Sequence, residues 1–245
     1  MEYVILLVIV FFTISLVYSS AGFGGGSSYL AILTLISIPF TDIRMIALMC
    51  NIVVVCSSSY IFNKHKLLNI SKSLPLVILS IPMAFIGGSL NIEETIFYVI
   101  LGITLLLASL LMIFPIKYIP KISPGLIGNS VLGSSIGFLS GLVGIGGGIF
   151  LAPVLHLSQW DKSKAIVATS AFFILMNSIA GLSGQIYQNG FSLQFKFFLP
   201  LLISVLLGSM IGSRVSIKLL SANRIKSITA LIIFIVALRL LINYL

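Results

Sequence analysis

Apolar residues run along this chain in long blocks rather than alternating with polar ones. A spanning helix needs roughly 20 apolar residues at about 1.5 Å of rise each. Eight stretches approach that length: Tyr3 to Ser19, Arg44 to Phe62, Leu74 to Leu90, Thr95 to Phe114, Gly125 to Val143, Lys164 to Gly184, Phe197 to Ser216 and Ile225 to Ile242. Two further runs, Ser28 to Pro39 and Ile149 to Gln159, hold only 12 and 11 residues, at best about 18 Å of helix. They are too short to span alone. The pattern predicts an all-α polytopic membrane protein with eight long segments and two short ones. Glu2 precedes the first run with no Lys or Arg beside it, which is not the start of a secretory signal, so that run is read as a segment of the mature chain.

Each short run follows a glycine cluster, Gly22-Phe23-Gly24-Gly25-Gly26 in one case and Gly144-Ile145-Gly146-Gly147-Gly148 in the other. The same order of elements surrounds both clusters, which indicates an internal duplication. Arg44 pairs with Lys164, Pro75 with Pro200, and Ile86-Gly87-Gly88-Ser89 with Ile211-Gly212-Ser213-Arg214. Residues 1–114 are then a first transmembrane repeat and 125–245 a second. The stretch 115–124, with three prolines, Lys117 and Lys121, is the linker between them.

Composition agrees with the pattern: 59% of the 245 residues are hydrophobic and 8% charged, whereas a soluble domain carries roughly 25% charged residues. The formal net charge of +9 therefore needs a membrane explanation, and nucleic acid is not an expected partner. Lys and Arg concentrate in short cytoplasmic loops. If each glycine cluster and its flanking runs cross twice or not at all, as a re-entrant hairpin, each half makes an odd number of crossings and the halves are inverted. Eleven of the 14 basic residues then fall inside, with Arg44, Lys196 and Arg239 outside. Counting each broken pair as one crossing divides them evenly instead. The asymmetry favours inverted repeats in the cytoplasmic membrane with both termini outside. Tyrosines near the run ends and Trp160 fit the membrane interfaces. Cys50 and Cys56 match neither a metal-ligand spacing nor a disulfide framework and read as buried thiols.

Irregular backbone at membrane depth survives only where protein buries it or water lines it. Two equivalent breaks therefore point to one central cavity. Helices that begin inside the bilayer aim free N–H groups and a positive dipole end at an anion. Gly24, Gly25, Gly26, Ser27 and Ser28 at the first break, with Gly146, Gly147 and Gly148 at the second, are candidate binding residues. Glycine lets the backbone approach a ligand closely and adopt positive φ. Tight helix crossings also use glycine, but duplication before runs too short to span favours a site. The clusters match neither a phosphate-binding loop nor a dinucleotide fingerprint.

Within the following long helices, Asn51 and Ser57 in the first half and Thr169, Ser170 and Asn177 in the second can donate hydrogen bonds to an oxyanion; bonds between helices are the simpler role for each taken singly. His156 is the ionisable residue in the middle of a short run, with Thr34 as its counterpart, and is a candidate for gating or proton linkage. Arg44 and Lys164 begin equivalent helices and would draw anions to the two entrances, snorkelling being the default for such cations. No enzyme constellation, metal site or cofactor motif is present, and no cofactor is expected.

The glycine clusters, the run Gly141 to Pro153 and the segment Ala165 to Ser170 resemble the sulfite exporter TauE/SafE family over essentially the whole chain. The second motif, ending Leu151-Ala152-Pro153, is the more specific. The first departs at Ser27-Ser28-Tyr29, where bulky apolar residues and a proline are the pattern. That departure bears on the substrate rather than the fold. The resemblance implies a bacterial or archaeal cytoplasmic-membrane permease for small anions, often sulfur oxyanions or organosulfonates. The residues and the resemblance together lead to an alternating-access anion carrier, with export favoured because an anion leaving a negative interior runs downhill by about 2.3 kcal/mol per charge per 100 mV. An anion channel and a membrane binding or assembly subunit without flux are the rivals. The expected partners are the lipid bilayer and a small anionic substrate, with the oligomeric state left open.

Overall fold

The computed structural model describes residues 2–20, 22–36, 38–113, 125–191, 195–218 and 222–244. Among these residues there is no strand, and the chain forms eleven helices. The first six are α1 (Glu2–Ser20), α2 (Gly26–Leu33), α3 (Phe40–Lys64), α4 (Ile70–Ile78), α5 (Ser80–Ser89) and α6 (Glu94–Ile113). The rest are α7 (Leu126–Val143), α8 (Gly148–Leu157), α9 (Ser163–Asn189), α10 (Phe195–Lys218) and α11 (Ala222–Tyr244). Each apolar run becomes helix. The run Leu74 to Leu90 is divided at Leu79, because Pro82 has no N–H for the Ile78 carbonyl. The expected linker 115–124 lies outside the described residues.

Among the described residues, α3, α9 and the α4–α5 stretch Ile70–Ser89 are individually long and apolar enough to cross a membrane. The apolar windows of α3 and α9 are both 61% buried, against 33% for Ile70–Ser89. The first two therefore form the interior, and α4–α5 turns its side chains to lipid. Large apolar side chains such as Ile9, Ile78, Ile203, Leu207 and Ile235 stand exposed on the perimeter. In water that surface would be a liability; hydrocarbon is its natural solvent.

Glycine contacts establish the helix directions. Gly133, Gly137 and Gly141 of α7 abut Leu76, Ser80 and Ala84 in turn, so α7 runs parallel to α4–α5. In the same way Gly208 and Gly212 of α10 abut Phe12 and Leu16 of α1. Along α3, Arg44 lies against Gly144 and Val55 against Gly24; along α9, Val167 lies against Gly22 and Ser178 against Gly146. The two glycine clusters are met in opposite order on the two helices, so α3 and α9 cross antiparallel.

The short helices turn back. Gly147 lies against Ile136 and Ser140 of α7, and Leu151 and Leu155 of α8 share a cluster with Ile136 and Leu132. On the first side, Phe11 of α1 stacks on Tyr29 of α2 with ring centroids 4.6 Å apart. Each helix pair α1–α2 and α7–α8 is thus a helical hairpin, and three long helical segments follow each. That arrangement inverts the second set of elements relative to the first.

One sequence expectation fails here. Cys50 is buried but Cys56 is exposed. Six residues at 3.6 per turn do not return to the same helix face, and Cys56 shares an outward stripe with the exposed Tyr60.

Candidate functional site

Both short helices start on a left-handed glycine. The N-cap of α2 is Gly25 at φ 85° and that of α8 is Gly147 at φ 80°. An L side chain at such angles costs about 1–2 kcal/mol, which is why glycine holds both positions. Gly144, at φ 83°, ends α7 in the same way.

The two breaks touch through Asn51 of α3. Its side-chain amide donates a 2.7 Å hydrogen bond to the Ile145 carbonyl. A methyl carbon placed at Gly24 or Gly26 would collide with the Asn51 side chain, and one at Gly146 would sit 2.9 Å from its Nδ2. Gly24, Gly26, Gly146 and Asn51 therefore meet at one junction. Gly148 packs on Ile174, the α9 residue in the position that Asn51 holds on α3.

Buried donors without partners gather at the second break. Among the described residues, Arg44 Nε and the hydroxyls of Ser140 and Ser178 have no hydrogen-bond partner. Measured to a methyl carbon at each glycine, Arg44 Cβ is 3.4 Å from Gly144, Ser178 Oγ 2.7 Å from Gly146 and Ser140 Cβ 3.2 Å from Gly147. Native interiors leave few polar groups unpaired because each costs about 1–3 kcal/mol. Three donors around one break form a place where an acceptor is missing.

Arg44 overturns its sequence-based placement. It is 1% exposed and does not snorkel. Its Nη2 donates to the Gly141 carbonyl at 3.3 Å, and its guanidinium lies 5.6 Å from the centre of the Phe97 ring. The negative end of α7 and the ring face partly compensate the charge. The only ion pair among the described residues is Lys72 with Asp161, elsewhere in the fold. The pairing of Arg44 with Lys164 also fails. Counted from the N-caps Pro39 and Lys162, the counterpart of Arg44 is Val167, and each of the two packs on the other half's glycine cluster. Lys164 is exposed in the first turn of α9.

The remaining candidates scatter. Ser27 and Ser28 are buried at the start of α2, and Ser28 Oγ is 2.6 Å from the Tyr18 hydroxyl. Ser57 is half-buried. Thr169 pairs with Ser73 of α4 at 3.0 Å, Ser170 has a buried hydroxyl without a partner, and the Asn177 amide bonds to Phe173 O of its own helix at 2.9 Å. His156 stands exposed in the last turn of α8. Sequence reasoning missed Ser140, and also Gln185, whose buried Oε1 has no partner. Both are polar residues in apolar stretches, a signal passed over because neither adjoins a glycine triplet.

Where α8 ends, Lys72 of α4 donates to the Trp160 carbonyl and to Asp161 Oδ2, both at 2.7 Å, and lies 4.3 Å from the centre of the Trp160 ring. The bond from Lys72, helped by the Lys162 N–H, holds the Asp161 carboxyl below its ordinary range. This contact ties α4 to the loop between α8 and α9. No cluster of three metal-binding side chains occurs among the described residues.

Comparison with known proteins places the chain among transporters. A family model described as "Sulfite exporter TauE/SafE" matches residues 7–240. The chain is 32% identical to the probable membrane transporter protein y4hK of Sinorhizobium fredii, over 96% of this chain and 97% of that one. It is 31% identical to a probable membrane transporter protein of Methanocaldococcus jannaschii, over 87% and 88% of the respective chains. No solved structure matches it.

Proposed function

The chain belongs to the sulfite exporter TauE/SafE family and is a multi-pass membrane transporter; from that premise we propose that it carries a small anion by alternating access through the junction of its two glycine breaks. The observation that carries this reading is the group of buried donors without partners, Arg44 Nε and the Ser140 and Ser178 hydroxyls, around Gly144, Gly146 and Gly147. A guanidinium and two hydroxyls suit an oxyanion: each can donate, and the buried positive charge gains a counter-charge when the anion arrives. Asn51 joins both breaks and is the natural coupling between the two halves, taken as repeats over 1–114 and 125–245. Sulfite is the substrate that the family description names, and sulfur oxyanions and organosulfonates are the wider class that the resemblance favours.

Inverted re-entrant hairpins are the usual means of exposing one central site to each face in turn. Lys64, Lys66, Lys72, Lys162 and Lys164 gather on the face joined by the Lys72–Asp161 contact. The positive-inside rule makes that face cytoplasmic and puts both termini outside. A negative interior drives an anion outward by about 2.3 kcal/mol per charge per 100 mV, which supports export across the cell membrane.

The test is flux of sulfite, thiosulfate, sulfoacetate, sulfate and chloride from proteoliposomes, with Gly25→Val and Gly147→Val as controls. Wild type is expected to move at least one sulfur oxyanion, and both variants to insert but lose flux. Normal flux in both variants would remove the site assignment, and absence of flux for every anion would remove the carrier.

A further inference from the structure

Beside the first break lies a chamber of about 520 Å³ between α1, α2 and α11. Its walls are aliphatic, with Val10, Ile14, Val17, Ala31 and Ile32 among them, and Tyr18 and Ser28 line it next to Gly25, the N-cap of α2. Both residues are buried, at 4% and 3% exposed, with their hydroxyl oxygens 2.6 Å apart. Arg239, Asn243 and Tyr244, near the end of α11, line it as well, and Arg239 is exposed.

The other half is not built to repeat this chamber. Register from the glycine clusters places Phe150 where Ser28 stands and Ser140 where Tyr18 stands. The phenyl ring of Phe150 packs between two core clusters. The chamber therefore lies at the first break alone, and Ser28 in its wall is one of the residues where the chain departs from the family pattern.

An inorganic oxyanion is comparable to a few waters of about 30 Å³ each and would leave most of this volume empty. Ligand sites of this size are mostly apolar, with a few polar groups to fix orientation. We propose that the chamber binds an organic anion with an apolar body, its oxyanion head taking the place of the mutual hydrogen bond between the Tyr18 and Ser28 hydroxyls at the start of α2 and its hydrocarbon along the aliphatic walls. Arg239 draws the anion in. This rests on the anion-carrier reading and extends it to amphipathic monoanions.

The experiment measures affinity by competition against flux of the best inorganic anion. Competitors are ethane-, butane-, hexane- and octanesulfonate, the matching carboxylates and the matching neutral alcohols. For either anionic series the affinity should rise by up to about fourfold for each methylene buried, with the alcohols far weaker. Ile32→Trp, which fills the chamber, should flatten the length dependence while inorganic flux persists. Ser28→Ala with Tyr18→Phe should weaken the anions about tenfold or more and leave the alcohols unchanged. Whichever series binds more tightly identifies the head group.

Inorganic flux with affinity independent of chain length would overturn the inference and leave the carrier standing. Alcohols competing as well as anions would also overturn it, in favour of a lipid groove. If no anion of any length is bound or moved, the carrier reading falls and the inference falls with it.

Discussion

Replacing Gly26 by alanine tests whether Asn51 joins the two glycine breaks. Gly26 is the first residue of α2 and lacks the positive φ of Gly25, so alanine meets no backbone penalty of that kind. Helix propensity alone would favour it by about 0.5–1 kcal/mol. The obstacle is packing: a methyl carbon would sit 2.9 Å from the Ile145 carbonyl oxygen and would collide with the Asn51 amide. Moving that amide breaks the 2.7 Å bond to Ile145. The stranded polar groups cost about 1–3 kcal/mol and the overpacking about 1–3 kcal/mol, giving a net loss of about 1–5 kcal/mol after the propensity gain. Asn51→Ala loses the same bond and should cost about 1–3 kcal/mol. In the double variant the bond is lost only once, and the methyl introduced by Gly26→Ala occupies space that the Asn51 amide has vacated. Unfolding free energies from SDS titration in mixed micelles should therefore show the double variant about 1–3 kcal/mol more stable than the sum of the single effects predicts. Additivity within about 0.5 kcal/mol, the behaviour of independent sites, would refute the bridge.

Two other perturbations separate structural from functional roles. Arg44→Met should unfold no more easily than wild type, since an apolar side chain of similar size often replaces a buried charge at little cost, yet should weaken anion binding tenfold or more. A stability loss above about 2 kcal/mol with binding intact would make Arg44 only a cap on α7. The Lys72–Asp161 contact makes stability pH-dependent. With the folded carboxyl held below its ordinary value, the contribution is complete above about pH 4 and disappears as pH falls through the depressed value. Partial exposure limits it to about 1 kcal/mol. Asp161→Asn should remove that acid-side slope from a thermal-unfolding series, and an unchanged slope would place the titrating group elsewhere.

Much of the architecture can be read locally. Whether a stretch crosses a bilayer depends on its own length and apolarity, so the long runs, the short runs and the interruptions at Gly25 and Gly147 were visible one residue at a time. Charge asymmetry pointed to inverted halves, because a loop's Lys content bears directly on the side that it occupies, but it left open whether the short runs span or turn back. What the chain does with Arg44 was not visible in that way. A cation near a helix start normally reaches for water, and pairing it with Lys164 matched charge rather than helix register. Only the tertiary structure sets Arg44 beneath the last turn of α7, because that helix belongs to the other half of the chain and turns inside the membrane instead of leaving it. Asn51 follows the same logic. Its position beside the first glycine triplet could be anticipated, but its bond to Ile145 spans 94 residues and depends on how two antiparallel helices cross. Hydrophobic length is a property of a segment; which buried polar groups find partners is a property of the assembled bundle.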